Sequence, residues 1–322
     1  MRPRQFLLGL AATAALTALA AGGATSAWVD VLDAPALQSP LATKGLLNGL
    51  ALAGNRIVAV GQRGHILTSD NGGKDWQQAK VPVSSDLVAV HFPTAQAGWA
   101  VGHDGVVLHS ADAGRSWTRQ RDGRPDAADN PLLDVWFEDA NSGYAVGAFG
   151  LVLRTTDAGR TWAELKDLAE NPKGLHLYSV RGFGGEVYMA GEQGLLLKRD
   201  AASGRFLAQA SPYQGTLFGL AGNGRAVLAY GLRGNVVRSA DRGATWQAIN
   251  TGVPVGLTAG AADNGGRIVL ASQTGHLLAS NDDGASFAPI RQERPVPAAA
   301  VLVVPGGLLV AGPRGAQALP QP

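Results

Sequence analysis

Residues 145–162 read AVGAFGLVLRTTDAGRTW and join two short signatures that recur along the chain. The first is Gly-x-x-Gly, here Gly147 and Gly150, which follows an apolar run typical of a β-strand. The second is Ser/Thr-x-Asp-x-Gly-x-Ser/Thr-Trp, which spans residues 155–162. Each signature places turn-forming residues beside apolar runs, so we expect each to close a turn between two strands. The number and spacing of further copies therefore decide the fold.

The Gly-x-x-Gly signature recurs at intervals of 41, 45, 44, 40, 41 and 40 residues. Its first positions are Gly61, Gly102, Gly147, Gly191, Gly231, Ser272 and Gly312, with Ser272 standing in for glycine. Each interval contains four short apolar runs separated by turn residues, as at 87–92, 98–101, 106–108 and 116–118. Four strands in about 40 residues is the pattern of one propeller blade. The sequence therefore predicts an all-β fold, a seven-bladed β-propeller of four-stranded antiparallel blades.

The last repeat contains only three predicted strands, at 299–304, 307–311 and 317–319. Residues 25–30, at the other end of the chain, resemble the fourth strands of the other repeats. We expect this N-terminal strand to complete the last blade, because a closed ring leaves no unpaired sheet edge. The predicted organisation is a signal peptide at 1–27 followed by one propeller domain at 28–322.

The first 27 residues are typical of a secretory signal peptide. Arg2 and Arg4 precede an apolar run at 6–21, and small residues follow up to Ala27. An N-terminal membrane anchor is the alternative, but the run is short and rich in alanine and glycine. We therefore expect a periplasmic or secreted protein after cleavage behind Ala27.

The composition that remains without these residues excludes several functions. Loss of Arg2 and Arg4 leaves 25 basic and 25 acidic side chains, so no net charge favours a nucleic acid partner. The chain contains no cysteine, which excludes disulfides, thiolate metal sites and a lipid-modified cysteine anchor. We expect a soluble monomer with no cofactor, no nucleic acid partner and no direct membrane anchor.

The Asp-containing signature occurs in full at 110–117, 155–162 and 239–246, and in looser form at 69–76 and 280–287. Its Asp can accept hydrogen bonds from the following turn, its Gly supplies a positive φ, and its Trp can pack between sheets. Catalytic or calcium-binding carboxylates are the alternative, but copies spread around a ring cannot converge on one substrate, and calcium needs several oxygen ligands in one segment. We interpret these residues as structural: Asn71, Asp112, Trp117, Asp157, Trp162, Asp241, Trp246 and Asp282.

This signature resembles the Asp-box, or BNR repeat, of bacterial sialidases. Its combination with Gly-x-x-Gly, as at 145–162, is similar to the photosystem II stability/assembly factor family of propellers and to their relatives in non-photosynthetic bacteria. The resemblance extends over essentially all of 28–322. It implies an exported, non-enzymatic propeller that binds a protein partner, a membrane-protein complex, during assembly or operation. In a non-photosynthetic host it implies an accessory of an envelope transporter.

A glycan-binding or glycoside-cleaving propeller, similar to the sialidases, is the alternative function. The chain lacks the Arg-Ile-Pro segment with which the sialidase family begins. A glycosidase also needs two converging carboxylates, and the sequence nominates no such pair. The six histidines show no metal-ligand spacing, so we predict neither a catalytic residue nor a metal site.

We expect a partner to bind the face that carries the Gly-x-x-Gly turns, hereafter the Gly-x-x-Gly face. Because strands alternate in direction, these turns share one face with the links between blades, and the Asp-box turns lie on the opposite face. Two long links, 121–131 and 166–176, are predicted to raise a lip beside blades two to four, and ordinary solvated loops are the alternative. The predicted partner-binding residues are Arg63, His103, Asp104, Phe149, Arg233 and Arg314 around the channel mouth, with Arg121 and Arg124 on the lip.

Overall fold

A computed structural model describes residues 29–124, 130–165 and 168–320 of the protein. Over these residues the chain forms seven antiparallel sheets, the blades of a β-propeller, which confirms the predicted fold. Six blades contain four strands each and the seventh contains three. The first strand of each blade lines a central channel, and the later strands follow outwards in sequence order. The predicted signal peptide at 1–27 lies outside the described residues.

The strand bounds repeat closely from blade to blade. Blade one contains β1 (Leu47–Ala53), β2 (Arg56–Gly61), β3 (Ile66–Ser69) and β4 (Gln77–Gln78). Blade two contains β5 (Leu87–His91), β6 (Gly98–Gly102), β7 (Val107–Ser110) and β8 (Thr118–Arg121). Blade three contains β9 (Leu132–Phe137), β10 (Gly143–Gly147), β11 (Val152–Thr155) and β12 (Ala163–Glu164). Blade four contains β13 (Leu177–Phe183), β14 (Glu186–Gly191), β15 (Leu196–Arg199) and β16 (Phe206–Ala208).

The remaining blades keep the same arrangement. Blade five contains β17 (Leu217–Gly222), β18 (Val227–Gly231), β19 (Val236–Ser239) and β20 (Gln247–Ile249). Blade six contains β21 (Leu257–Ala262), β22 (Ile268–Ser272), β23 (Leu277–Ser280) and β24 (Ala288–Ile290). Blade seven contains β25 (Ala300–Val304), β26 (Gly307–Gly312) and β27 (Gly315–Pro320).

Helical structure in the described ranges is confined to short 3-10 segments. One lies at Ala42–Lys44, before the first blade. In blades one to five a 3-10 turn follows the second strand: Gln62–Gly64, His103–Gly105, Ala148–Gly150, Glu192–Gly194 and Leu232–Gly234. Within the described residues no helix is long and apolar enough to cross a membrane.

Apolar packing between neighbouring blades forms the core. The second strands are buried along almost their whole length because the adjacent blades cover both of their faces, which explains their continuous apolar sequence. Between blades two and three, Trp99 stacks on Phe137 with ring centroids 3.6 Å apart. The Asp-box glycines make room for the preceding blade, since a Cβ on Gly284 would lie 2.6 Å from Leu228 Cδ2. The ring is therefore held by side chains that interlock from one blade to the next.

The closure of the ring differs from the prediction at Val29 and Asp30, the described residues of the predicted N-terminal strand. The N-terminal strand predicted at 25–30 lies mostly outside the described residues, and Val29 and Asp30 are not in a strand. The chain after them runs beside the outer edge of blade one, where Ala36 N–H donates to Val81 O at 3.0 Å. Blade seven instead packs on blade one through an apolar cluster that includes Ile57 and Leu309. Burial of these side chains joins the ends of the ring without a shared strand in the described part of the chain.

Candidate partner-binding face and central channel

Each Asp-box carboxylate is engaged within its own turn. In blade three, Asp157 Oδ1 accepts hydrogen bonds from Thr161 N–H at 2.9 Å and from the Thr155 hydroxyl at 2.8 Å. Asp157 Oδ2 accepts from the Thr161 hydroxyl at 2.7 Å. These bonds, led by the one from the Thr161 backbone, lower the pKa of Asp157 to about 2. A carboxylate that already accepts these hydrogen bonds stabilises its turn and keeps little hydrogen-bonding capacity for a substrate or an ion.

The other copies have the same geometry. Asp112, Asp241 and Asp282 each accept from the backbone N–H and the hydroxyl of the residue four positions later. Asn71 keeps the backbone bond through Oδ1 and donates from its amide to Asp75. Trp117 and Trp246 are buried beside their turns, whereas Trp162 is half-buried. All eight residues of the predicted structural set thus lie in turns between the third and fourth strands.

The Gly-x-x-Gly turns share an unusual backbone conformation. In blades one to five the third residue of the signature has a left-handed φ although it is not glycine: Arg63, Asp104, Phe149, Gln193 and Arg233, at 52–58°. A non-glycine residue in this region costs about 1–2 kcal/mol, so the surrounding structure must hold it there. The second glycine lets the turn pack against the link to the next blade, because a Cβ on Gly64 would lie 2.2 Å from Val83 O. The glycines form a rigid frame that lifts one side chain per blade off the face.

Most of the predicted partner-binding residues are exposed on this face. His103 and the arginines Arg63, Arg233 and Arg314 are exposed, and Asp104 is half-buried. Phe149 is 67% exposed, which is uncommon for so large an apolar side chain and marks a surface that a partner could cover. Leu232, which precedes Arg233, is also exposed.

The two predicted lip residues are tied into the fold. Arg124 forms ion pairs with Asp122 at 2.8 Å and with Asp33 at 2.9 Å, and this contact lowers the pKa of Asp33. Arg121 Nη1 donates to Gly105 O at 3.1 Å. The first link is described on either side of residues 125–129 and the second on either side of residues 166–167. Arg124 therefore connects the N-terminal segment to blade two, and its role in partner binding stays a prediction.

Phe149 begins a row of aromatic rings that sequence reasoning did not find. Phe149 packs edge-to-face on His176 with centroids 4.9 Å apart, and His176 contacts Tyr178 at 6.3 Å. Tyr178 in turn packs on Phe218 at 5.7 Å. We call Phe149, His176, Tyr178 and Phe218 the aromatic row. It leads from the exposed Gly-x-x-Gly face to the mouth of the central channel.

A β-bulge orients Tyr178 and Phe218, the inner end of the aromatic row, towards the channel. In blades one to six the first strand shifts register at the same place, next to its start. The skipped residues are Asn48, Val88, Leu133, Tyr178, Phe218 and Thr258, and all six are half-buried at the channel. A bulge turns a side chain away from the regular pleat, which explains why these residues face the channel. The half-apolar run LYSV at 177–180 was the only sequence signal for Tyr178.

The central channel encloses a cavity of about 260 Å³ lined mainly by Val, Leu, Ala and Gly. Asp134 is the single carboxylate that lines it among the described residues, and it pairs with Arg181 at 2.5 Å. Burial, reinforced by the charge of Arg181, lowers the pKa of nearby His91 to about 3. The described residues contain no group of three His, Asp or Glu that could hold a metal ion. The pair of carboxylates that a glycosidase needs is therefore not found among the described residues of this channel.

Seven blades, Asp-box turns on one face and Gly-x-x-Gly turns on the other define the class of Asp-box β-propellers. The family described as photosynthesis system II assembly factor YCF48 matches residues 51–123 and 126–276 of this chain. The chain belongs to this family.

Individual relatives match this chain over a short region only. The photosystem II assembly lipoprotein Ycf48 of Synechococcus sp. (strain CC9902) is 33% identical over 64 residues, which are 19% of each chain. The chloroplastic photosystem II stability/assembly factor HCF136 of Oryza sativa subsp. japonica is 35% identical over 66 residues, 19% of this chain and 16% of the relative. The matched region thus spans about a fifth or less of these relatives.

Two solved structures share the fold over most of their length. A structure of YCF48 bound to D1 peptide superimposes with a TM-score of 0.67 at 18% identity, covering 87% of this chain and 92% of the other. YCF48 from Cyanidioschyzon merolae gives a TM-score of 0.66 at 17% identity, covering 87% and 97%.

Proposed function

We propose that this protein is an exported, non-enzymatic propeller that binds a segment of a membrane-protein complex on its Gly-x-x-Gly face. The observation that carries the proposal is Phe149, a 67% exposed phenylalanine held on a left-handed turn at the outer end of the aromatic row. Apolar surface on a rigid frame favours binding, because little conformational entropy is lost when a partner covers it.

Exposed charges on the same face suggest the chemistry of the partner. Arg63, Arg233 and Arg314 are exposed, and none forms an ion pair with another described residue. Free guanidinium groups on the same face as an aromatic surface suit a peptide segment that combines apolar or aromatic side chains with carboxylates. The structural neighbour solved with a D1 peptide and the family's name support a photosystem II subunit as client in a photosynthetic host. In a non-photosynthetic host the same face would serve an envelope transporter.

Export is part of the proposal. Cleavage behind Ala27 would place the propeller in the periplasm or outside the cell, where the exposed loops of a membrane complex are accessible. The curated relatives, a lipoprotein and a chloroplastic factor, are compatible with such a location. Fractionation of the host cell with N-terminal sequencing of the mature chain tests it. A chain that keeps its first residues in the cytoplasmic fraction would contradict it.

Two triple charge reversals test the binding face. Arg63→Glu, Arg233→Glu and Arg314→Glu change the Gly-x-x-Gly face, whereas Arg115→Glu, Arg160→Glu and Arg242→Glu change exposed arginines on the Asp-box face by the same total charge. Both are used to recover partners from solubilised membranes of the host, with the partner identified by mass spectrometry. We expect the first triple variant, and Phe149→Ala alone, to lose the partner. Loss with the Asp-box-face variant only would reject the face assignment.

A further inference from the structure

Four residues of blades three to six depart from the residue types that the other blades carry at the same positions. The pairing register makes the seven blades directly comparable. Tyr230 occupies a second-strand position filled elsewhere by Val60, Val101, Val146, Ala190, Ala271 and Ala311. Gly260 occupies a first-strand position filled elsewhere by Leu50, Val90, Val135, Val180, Leu220 and Val301. Asp134 stands among Gly, Ala and Ser, and Arg181 takes the place of Ala, His, Trp or Leu.

These four residues converge on one place, the wall of the central channel. Arg181 of blade four pairs with Asp134 of blade three. Tyr230 lines the same cavity as Asp134 and Arg181, and burial raises its pKa. A Cβ on Gly260 would lie 2.6 Å from Tyr230 Cε1, and one on Gly219 would lie 2.2 Å from the hydroxyl oxygen. The two glycines thus leave the space through which Tyr230 reaches the channel from the second strand.

The hydrogen bonds of this cluster leave donors unused and acceptors occupied. Asp134 accepts from the backbone N–H groups of Val135 and Val180, each at 2.9 Å, from the Ser179 hydroxyl at 3.0 Å and from Arg181. All hydrogen bonds from Arg181 to described residues use Nη1, and its side chain is 32% exposed. The Tyr230 hydroxyl donates to no described residue. The channel therefore offers the Nε–Nη2 edge of a guanidinium and a hydroxyl proton to a ligand.

We propose that the central channel binds a carboxylate carried on a small apolar body, with Arg181 and Tyr230 as its hydrogen-bond donors. A free guanidinium edge matches the two oxygens of a carboxylate. Tyr178, Phe218 and Leu220 supply apolar walls for the rest of the ligand. The volume of about 260 Å³ lies just below the range of about 300–1,000 Å³ typical of pockets for drug-sized molecules, so the ligand is small. This site goes beyond the proposed function, because it requires no partner on the Gly-x-x-Gly face.

The carboxylate can belong to a free organic acid or to the C-terminus of a peptide that enters from the channel mouth. Both sources present the same group to Arg181. We therefore titrate the ¹⁵N-labelled protein with phenylacetate and, separately, with N-acetyl-Leu-Phe, and follow the arginine Nε–Hε and the backbone amide cross-peaks. Phenylacetamide and the amidated dipeptide are the controls without a carboxylate. Tighter binding of the dipeptide than of phenylacetate identifies a chain terminus, and the reverse identifies a free acid.

We expect saturable shifts with a Kd on the order of 1 mM for phenylacetate, given its few heavy atoms. Arg181→Gln should weaken binding at least about tenfold, and Tyr230→Phe about three- to tenfold, because a donor to a charged group is lost. Arg199→Gln is the matched control, since Arg199 also joins blades three and four, by an ion pair with Glu138. Tyr188→Phe is the control for loss of a buried hydroxyl.

Three results would overturn the proposal: amides that bind as well as the acids, an Arg181→Gln variant with unchanged affinity, or no saturable binding by any probe. Thermal unfolding of each variant shows whether it is folded. Should Arg181→Gln not fold, Tyr230→Phe and the comparison of acids with amides still decide the question. The triple reversal on the Gly-x-x-Gly face leaves the channel intact, so failure of either proposal is recognised independently of the other.

Discussion

Phe149 and His176 meet across the seam between blades three and four. The Phe149 N–H donates a 2.7 Å hydrogen bond to His176 Nδ1, and the two rings pack edge-to-face with centroids 4.9 Å apart. A residue in the link to blade four thereby holds the exposed phenylalanine of blade three in its left-handed conformation. The outer end of the candidate binding surface depends on this pair.

Replacement of His176 by alanine should leave Phe149 less ordered without unfolding the protein. In His176→Ala the Phe149 N–H loses its acceptor and the phenyl ring loses its packing partner, so the ordering of Phe149 would have to be supplied by the partner. We expect a partner affinity about three- to tenfold lower than wild type, by the free energy of one hydrogen bond. Biolayer interferometry with the identified partner measures it. His276→Ala, an exposed histidine near the Gly-x-x-Gly-like turn of blade six, should bind normally.

The Asp-box clasps should make the fold sensitive to acid. Hydrogen bonds from Thr161 and Thr245 lower the pKa values of Asp157 and Asp241 to about 2, against about 3.9 in an unfolded chain. The stabilisation is complete above pH ~4 and is lost as the pH falls towards 2, because the unfolded state then binds more protons. Melting temperatures between pH 2 and pH 7 should show this decline. Asp157→Asn together with Asp241→Asn should flatten it, whereas Asp104→Asn, outside any Asp-box, should not.

A side chain at Gly159 should destabilise the protein through a steric clash with blade two as well as through the left-handed backbone conformation. A Cβ there would lie 2.1 Å from Gln120 Oε1 and 2.9 Å from Trp99 Nε1 of blade two, at a φ of +76°. Gly72→Ala is the matched control, since Gly72 has a φ of +74° and nothing within 4 Å. We expect Gly72→Ala to lose about 1–2 kcal/mol of unfolding free energy and Gly159→Ala about 1–3 kcal/mol more. Equal losses in urea unfolding would show that the seam between these blades accommodates the methyl group.

The seam between blades seven and one should be the most readily opened. Leu309 is fully buried there, and Leu228 occupies the equivalent position in blade five. Substitution of either by Ala should lower the free energy of unfolding by about 2–5 kcal/mol. Leu309→Ala should in addition increase amide hydrogen exchange selectively in β1, β25 and β26, because blades seven and one are neighbours in the ring but are not consecutive in the chain. If Leu228→Ala increased exchange in the strands around its own site as strongly, the seam between blades seven and one would not be the weaker one.

The local chemistry of the repeats was readable from the sequence. The bonds of the Asp-box join residues two or four positions apart, as from Thr161 to Asp157, and the Gly-x-x-Gly turn closes within three residues. Interactions of such short range depend on residue type and spacing alone, so copies counted along the chain predicted both the turns and the seven blades. The exposure of Phe149 and Arg233 followed from the same turns.

The tertiary structure decided which side chains meet across the blades. Phe149 and His176 are 27 residues apart, Asp134 and Arg181 are 47 apart, and Tyr230 contacts Gly260 from a different blade. The sequence marks these residues only as exceptions to the repeat, because contacts between blades depend on the bulge, the register and the rotation from one blade to the next. The sequence by itself determined the blades and their turns through local bonds, whereas the aromatic row and the channel cluster exist only once the blades have packed against one another.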